Sequence, residues 1–548
     1  MAKRKAAAKA ARKSAARKTA RTSTRRASSR RAPPRRTVRR AGRARPGAAA
    51  LIQGWPTDPM GGVPPIQLAV PALPGSALAT RIVAPAKAPP AQVHPLGTDG
   101  FRYWTAAETL RRCAAFWTSA GATGWHQDIG LSIPVRLDDG IDLNAFYARN
   151  DFPPEGIKQG LSFFHDTVVD ASNGRRSTVF SGESPDVVAH ELGHAVLDSI
   201  KPVLFELASI EAAAFHESFG DMSAVLTALQ LPSVREAVIQ ETSGALRRNS
   251  SVSRVAEQLG FAIRQRNPSA VDRDSLRNAA NSFVYTNPLT LPSSGPATQL
   301  TRAPHNFSRV FSGAFLEALG GMVARLADDP DSDDVLEASL DMGRLLTRAV
   351  IDAPVSTQFM QAVAERMLLA DTALFGGRYT EALTIAFVRR GLLSVQSLAS
   401  PEALSANTPA RAGAAAARFS ATAAGRAPGR AARAATTPVE VAMSGAIMGL
   451  SAETVYVACP PMEEVGPPPL SAIAGATARV APVAPRMADV QAFVESLVVR
   501  GRVNVAPAAG RRRSLAASLS EARKHATHYL EKRGDNAVAL KRIAFECC

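Results

Sequence analysis

Residues 1–46 contain no Asp, no Glu and no aromatic residue. They hold 19 Lys or Arg among Ala, Ser and Thr, with Pro33-Pro34 as an interruption. A segment almost without large apolar side chains cannot bury a core, so a disordered basic tail is expected. The 548 residues carry a formal net charge of +18, so with those 19 charges set aside the rest sums to −1. Basicity is thus a property of the tail alone. Its chemistry suits non-specific contact with nucleic acid or another polyanion, by counterion release and without base reading.

Cysteine is scarce: Cys113, Cys459, Cys547 and Cys548 are the whole supply. No pair has zinc-knuckle spacing, and the usage suits a reducing compartment. Apolar runs of transmembrane length are missing, so no membrane span is expected. No apolar run follows the first charges as a secretory signal would require. The compartment stays open, with the cytoplasm favoured.

Residues 47–100 are rich in Pro, Gly and Ala and read as a linker. The chain turns globular at Phe101, and residues 101–400 form the expected principal domain. Thr105 to Trp117 has helical periodicity. Leu131 to Leu137, Asp142 to Tyr147, Leu161 to Val169 and Thr178 to Phe180 read as strands between Gly and Asp turns. After Ser184 almost everything to Leu398 reads as helix. Residues 401–437 return to Ala, Arg and Pro and read as a second linker. Residues 438–548 mix apolar runs, Pro-rich interruptions and a basic helix-like stretch near Leu515 to Lys532. They read as a small α+β domain or a partly disordered segment, and no function follows from them.

Against this background one pentapeptide stands out, His190-Glu191-Leu192-Gly193-His194. On a helix, i and i+4 share a face, so two imidazoles can meet one metal ion while Glu191 reaches a metal-bound water. Ser184 suits an N-cap and Pro185 the first helical position; Asp186 adds charge to the first turn. Val187, Val188, Leu192, Val196 and Leu197 form an apolar stripe, and Lys201-Pro202 ends the run. A second helix is expected from about Glu211 to Leu229. On it Glu217 and Asp221 are i and i+4. That suits a carboxylate ligand with an Asp behind it, accepting the free ring N–H of a histidine ligand.

These residues resemble the thermolysin-like zinc metallopeptidases of the gluzincin group, whose pattern is H-E-x-x-H on one helix and E-x-x-x-D on the next. The match to the active-site helix runs from Asp186 to Asp198. Upstream, Asn144-Ala145-Phe146-Tyr147 resembles the edge strand that pairs with substrate backbone. Downstream, His305 with Ser308, Val310, Phe311 and Ala314 resembles the helix carrying the transition-state histidine. The resemblance spans residues 101–398 and is specific only at 144–147, 186–221 and 305–315. It implies an α+β two-lobe fold, with a short β-rich N-terminal lobe, a helical C-terminal lobe and the zinc helix between them. It implies one Zn²⁺ per chain, held by His190, His194 and Glu217. Asp221 and Asp198 would support the ligands, and Asn144 and Ala145 would bind substrate backbone. Glu191 would act as general base and His305 would stabilise the oxyanion.

The chain departs from the family in several places. Phe205 stands nearest to the family's tyrosine donor and has no hydroxyl. His216 replaces the usual Asn before the glutamate ligand. Ser223 to Ala228 has no carboxylate where the family binds calcium, so a Ca²⁺ site is not expected. The function expected is zinc-dependent hydrolysis of peptide bonds in a peptide or protein substrate. The alternative is a weakly active or inactive metallopeptidase-like binding protein, associated with nucleic acid through its tail.

Overall fold

The computed structural model describes residues 50–70, 78, 81–83, 88–394, 437–450, 454–461, 486–504, 526–534 and 536–547. The basic tail 1–46 and nearly all of the second linker, 401–437, lie outside the described residues. The first part of the chain forms β1 (Leu51–Gly54), β2 (Ile66–Ala69), β3 (Arg81–Val83), α1 (Asp99–Ser119), β4 (Ser132–Arg136) and β5 (Ala145–Ala148). Next come β6 (Gly160–Phe163), β7 (His165–Val169), β8 (Arg176–Phe180), α2 (Pro185–Ile200), α3 (Val203–Glu206), α4 (Ile210–Ala228) and α5 (Pro232–Thr242). They are followed by β9 (Arg254–Val255), α6 (Glu257–Arg266), β10 (Arg277–Asn278), α7 (Pro304–Phe307), α8 (Arg309–Leu326), α9 (Ser332–Asp352), α10 (Phe359–Phe375) and α11 (Thr380–Arg389). The last part holds β11 (Val439–Ser444), β12 (Thr454–Cys459), α12 (Arg486–Val499), β13 (Val503–Asn504), β14 (His528–Lys532), β15 (Ala537–Arg542) and β16 (Ala544–Glu546).

The fold is α+β. One five-stranded sheet has the order β16-β5-β6-β4-β3, and a second has the order β11-β12-β15-β14-β13. β4 alternates between buried and half-buried residues, as a strand with one covered face should. α2 and α4 are buried along nearly their whole length and pack on each other at the centre. Two glycines permit that approach. A Cβ at Gly193 would lie 2.5 Å from Ser223 Oγ, and one at Gly220 would lie 2.5 Å from the His190 ring. The Ser184 side chain caps α2 by accepting from Val187 N–H, and its hydroxyl donates to Asp58 at 2.6 Å. No helix among the described residues is long and apolar enough to cross a membrane.

Three expectations need correction. The stretch 47–100 is not simply a linker. β1 and β2 form an antiparallel pair packed on α1, with Ile52 fully buried and Trp55 Nε1 bonded to Glu183 at 3.2 Å. Asp58 accepts from the backbone of Gln258 as well as from Ser184. Proline and glycine set these strands' ends, and strands of four residues are too short to show a period. Secondly, the chain between Ser243 and Ser308 is largely irregular, interrupted only by α6, α7, one short 3₁₀ turn and the two-residue strands β9 and β10. Pro268, Pro288, Pro292 and Pro296 each remove a backbone donor there and break helical continuation. Thirdly, His528–Lys532 is a strand paired with β15, not the end of a basic helix. From the same C-terminal region, β16 pairs with β5 in the sheet that also holds β4 and β6.

Candidate metal centre

α2 presents His190 and His194 one turn apart, with ring centroids 4.7 Å from each other. His190, Glu191 and His194 are fully buried and their donor atoms lie within 4.8 Å of one another, a grouping that could hold a metal ion. α4 brings Glu217 to the same point. Its Oε2 is 3.5 Å from His190 Nε2 and its Oε1 is 3.8 Å from His194 Nε2. Asp221, one turn further along α4, meets His190 Nδ1 at 3.1 Å. That contact places the Nδ1 proton and turns Nε2 towards Glu217, where Arg277 Nη2 also approaches it at 3.5 Å.

Asp221 is held from the other side by Arg277 on β10, with Nη2 at 2.9 Å and Nε at 3.2 Å, and by Ser312 Oγ at 3.2 Å. Arg277 carries no readable signal in the sequence, yet it is buried and central. His216 is the second residue that the sequence did not place. Its Nδ1 lies 3.2 Å from His194 Nδ1, so a proton shared there fixes the His194 ring as Asp221 fixes that of His190. Burial lowers the pKa of both His194 and His216 well below the ordinary histidine value, so the shared contact is between neutral rings.

Several buried polar atoms here have no hydrogen-bond partner: both Glu191 oxygens, His194 Nε2 and Glu217 Oε2. Buried polar groups are ordinarily paired, so this convergence calls for a ligand that accepts lone pairs. Two imidazole nitrogens with a carboxylate oxygen are a donor set that suits a divalent cation, zinc among them. Burial also acts on the charges. It raises the Glu191 carboxyl well above the usual range, helped by the negative charge carried by Cys547 and Glu217 when ionised. Burial works against ionised Glu217 too, but His305, His190 and His194 outweigh it and hold that carboxyl low. For Asp221 burial is likewise overcome by Arg277 and His190, which bring the pKa down to about 2.

His305, on α7, joins the cluster: its Nε2 lies 3.3 Å from Glu217 Oε2. The same nitrogen lies 2.6 Å from the carbonyl oxygen of Glu546. Burial brings the His305 pKa down to about 4, so at neutral pH the ring is uncharged and can donate one N–H. Ala145 lies on β5, and its carbonyl accepts from Cys547 N–H at 2.9 Å. The Asn144 side chain turns onto the N–H of Ala145 at 2.9 Å. Phe205 lies in the wall of the site, 5.5 Å from the Phe545 ring, and offers no hydroxyl.

Asp198 is a correction. Its partners are Tyr147 Oη at 2.6 Å and Arg149, and neither metal-facing histidine is among its hydrogen-bond or ion-pair partners. It sits one turn beyond His194, where α2 crosses β5, and a buried carboxylate there takes the arginine that the adjoining strand supplies. Asp198 therefore ties α2 to β5 and acts on the centre only through that placement. The sequence matches no protein-family model and no curated protein.

Proposed function

We propose that the chain is a zinc metalloendopeptidase of thermolysin-like architecture, with a short β-rich lobe before α2 and a helical lobe after it. The observation that carries this reading is the buried convergence of His190, His194 and Glu217 around unpaired donor atoms, with Glu191 unpaired beside them. His190, His194 and Glu217 would hold the zinc. Bound zinc supplies Lewis acidity, polarising a peptide carbonyl and making a water more acidic.

The chain's own groups supply the rest. The Glu191 carboxylate accepts a proton from water and passes it to the departing amine nitrogen, and burial, which raises its pKa, favours its holding that proton between the two transfers. His305, neutral at pH 7, donates its N–H to the carbonyl oxygen as negative charge develops there. The β5 edge takes the substrate backbone by strand addition, with Ala145 C=O accepting an N–H from it. Asp221 and Arg277 fix the ring of His190, and His216 fixes that of His194, so neither ligand reorganises during turnover.

The test is elemental analysis of the purified chain together with cleavage of a mixed peptide library. Near-stoichiometric zinc, and cleavage that a chelator abolishes, are expected. Because residues 544–547 lie along β5, the library is also offered to a Phe545→Ala variant. Zinc that persists in His190→Ala/His194→Ala protein would sink the assignment. A second reading, a metal-binding protein without turnover, draws on Phe205 and on the occupied β5 edge. Stoichiometric zinc with no cleavage by either protein would favour it.

A further inference from the structure

The edge of β5 is where the proposed peptidase would seat a substrate backbone, and here the chain's own residues lie on it. β16 runs antiparallel to β5, pairing Ala544 with Ala148, Phe545 with Tyr147 and Glu546 with Phe146. Three polar contacts fix the register at the metal centre. Cys547 N–H donates to Ala145 C=O at 2.9 Å, Arg277 Nη1 donates to Cys547 C=O at 2.8 Å, and Glu546 C=O meets His305 Nε2 at 2.6 Å. The carbonyl aimed at the oxyanion donor is therefore that of Glu546, and the peptide bond presented to the site is Glu546–Cys547.

Side chains add to the seating. The Phe545 ring stacks on His216 at 3.9 Å and on the ligand His194 at 5.0 Å, and the Arg542 guanidinium covers it at 4.1 Å. Cys547 is fully buried, with Arg277 on its carbonyl. Glu546 is ion-paired with Arg502, just ahead of β13, so its carboxylate is neutralised by its own module. The same module is fastened to the wall of the site by Arg542 Nε, which donates to Phe205 C=O at 2.8 Å. What remains open at the site is lined by Glu217, His305, Arg500, Arg502, Phe545 and Glu546.

We propose that residues Ala544–Cys547 are a built-in competitive inhibitor, bound along β5 as a peptide substrate would bind and displaced before another peptide can enter. The inference rests on the peptidase reading. Covalent connection gives the segment a high effective concentration at the groove, so a modest intrinsic affinity is enough to keep it there. The contacts made by its backbone are those any peptide could make, whereas the Phe545 ring is its particular anchor. The segment competes with substrate for the groove and supplies no group to the proposed chemistry, so its loss acts on KM and not on kcat.

The experiment compares the full-length, metal-loaded wild type with Phe545→Ala and with Cys547→Pro. The proline removes the N–H that Ala145 C=O accepts and leaves the Phe545 ring in place. Two quantities are read: KM and kcat for library peptides, and the rate of amide hydrogen exchange over residues 145–148. Both variants should exchange faster there and show a lower KM at unchanged kcat: by at least about tenfold for Phe545→Ala, since losing a buried aromatic ring weakens a docked segment by more than that factor, and by roughly several-fold for Cys547→Pro, which loses one hydrogen bond. If peptides are cleaved with the same KM by all three proteins, the inhibitor is refuted and the peptidase stands. Unchanged exchange in both variants also refutes it. If exchange quickens in the variants but none of the proteins cleaves peptide, the peptidase reading fails and the inhibitory role falls with it. An intact mass showing hydrolysis at Glu546–Cys547 in the purified wild type would overturn the proposal too, because a segment cut in place is a substrate.

Discussion

Replacing Arg277 by Met should destabilise the chain far more than its position on a two-residue strand suggests. Asp221 is 2% exposed, and Arg277 gives it three nitrogen–oxygen contacts between 2.9 and 3.3 Å. Removing one partner of a buried ion pair leaves an uncompensated charge and costs about 3–5 kcal/mol. His190 and Ser312 still reach Asp221, which argues for the lower end of that range. The lost bond to Cys547 C=O adds about 1 kcal/mol. The expected loss for Arg277→Met is therefore about 3–4 kcal/mol at neutral pH.

Arg277→Met/Asp221→Asn should recover much of that, about 2 kcal/mol, because no buried charge is then left alone. The measurement is urea unfolding of wild type, both single variants and the double variant, at one fixed zinc concentration. The pH dependence gives an independent check. Arg277 and His190 hold the Asp221 pKa at about 2 against an ordinary 3.8, so this carboxylate stabilises the fold above about pH 3.8 and loses that effect as pH falls towards 2. The deficit of Arg277→Met should accordingly be full above pH 4 and shrink below it. A single variant costing under about 1 kcal/mol, or a double variant costing the sum of the two singles, would refute the pairing argument.

Glu191→Gln should retain zinc and lose peptide cleavage by several orders of magnitude, read as metal content and kcat on one preparation; cleavage at the wild-type rate would remove Glu191 as the base. His305→Ala should keep zinc and lower kcat by roughly ten- to a thousandfold, and unchanged kinetics would take His305 out of the site. Burial raises the Glu211 carboxyl to about 8, so the fold loses stability from it as pH rises from about 4.5 towards 8. Glu211→Gln keeps an acceptor for Met360 N–H and should flatten the fall in melting temperature across that window; parallel curves for the two proteins would show that Glu211 does not set it. The tail of residues 1–46 should bind DNA weakly, without sequence preference and with steep salt dependence, and equal binding by tail-deleted protein would exclude it as the contact.

The parts of the centre that were legible in the sequence are those set by one helix at a time. His190 and His194 share a face by their spacing, and so do Glu217 and Asp221. The Ser184 cap and the Lys201-Pro202 stop placed both ends of α2, and α4 came within a residue of its expected limits. Glycine carries part of this information in a less visible form. Gly193 and Gly220 let α2 and α4 meet closely enough for Glu217 to reach both histidines, but nothing local distinguishes them from glycines tolerated for other reasons.

What stayed hidden is what only the tertiary fold decides. Arg277 meets Asp221 across 56 residues of chain, from a strand too short to have a period. His216 stands one residue before Glu217 on α4, which turns it about 100° away from the Glu217 face. On a helix with one exposed side, that turn would end in solvent. α4 is buried all round, so the direction away from Glu217 still ends in protein, against His194. The pairing of β16 with β5 is the furthest from local reach. Alternation of apolar residues can mark a strand, but with only three residues it fixes neither partner nor register. Here both are fixed by polar atoms on three other elements: Ala145 on β5, Arg277 on β10 and His305 on α7. The groups that select this strand are thus the ones the proposed chemistry would need for a substrate, which is why a sequence reading that found the site could not see it already filled.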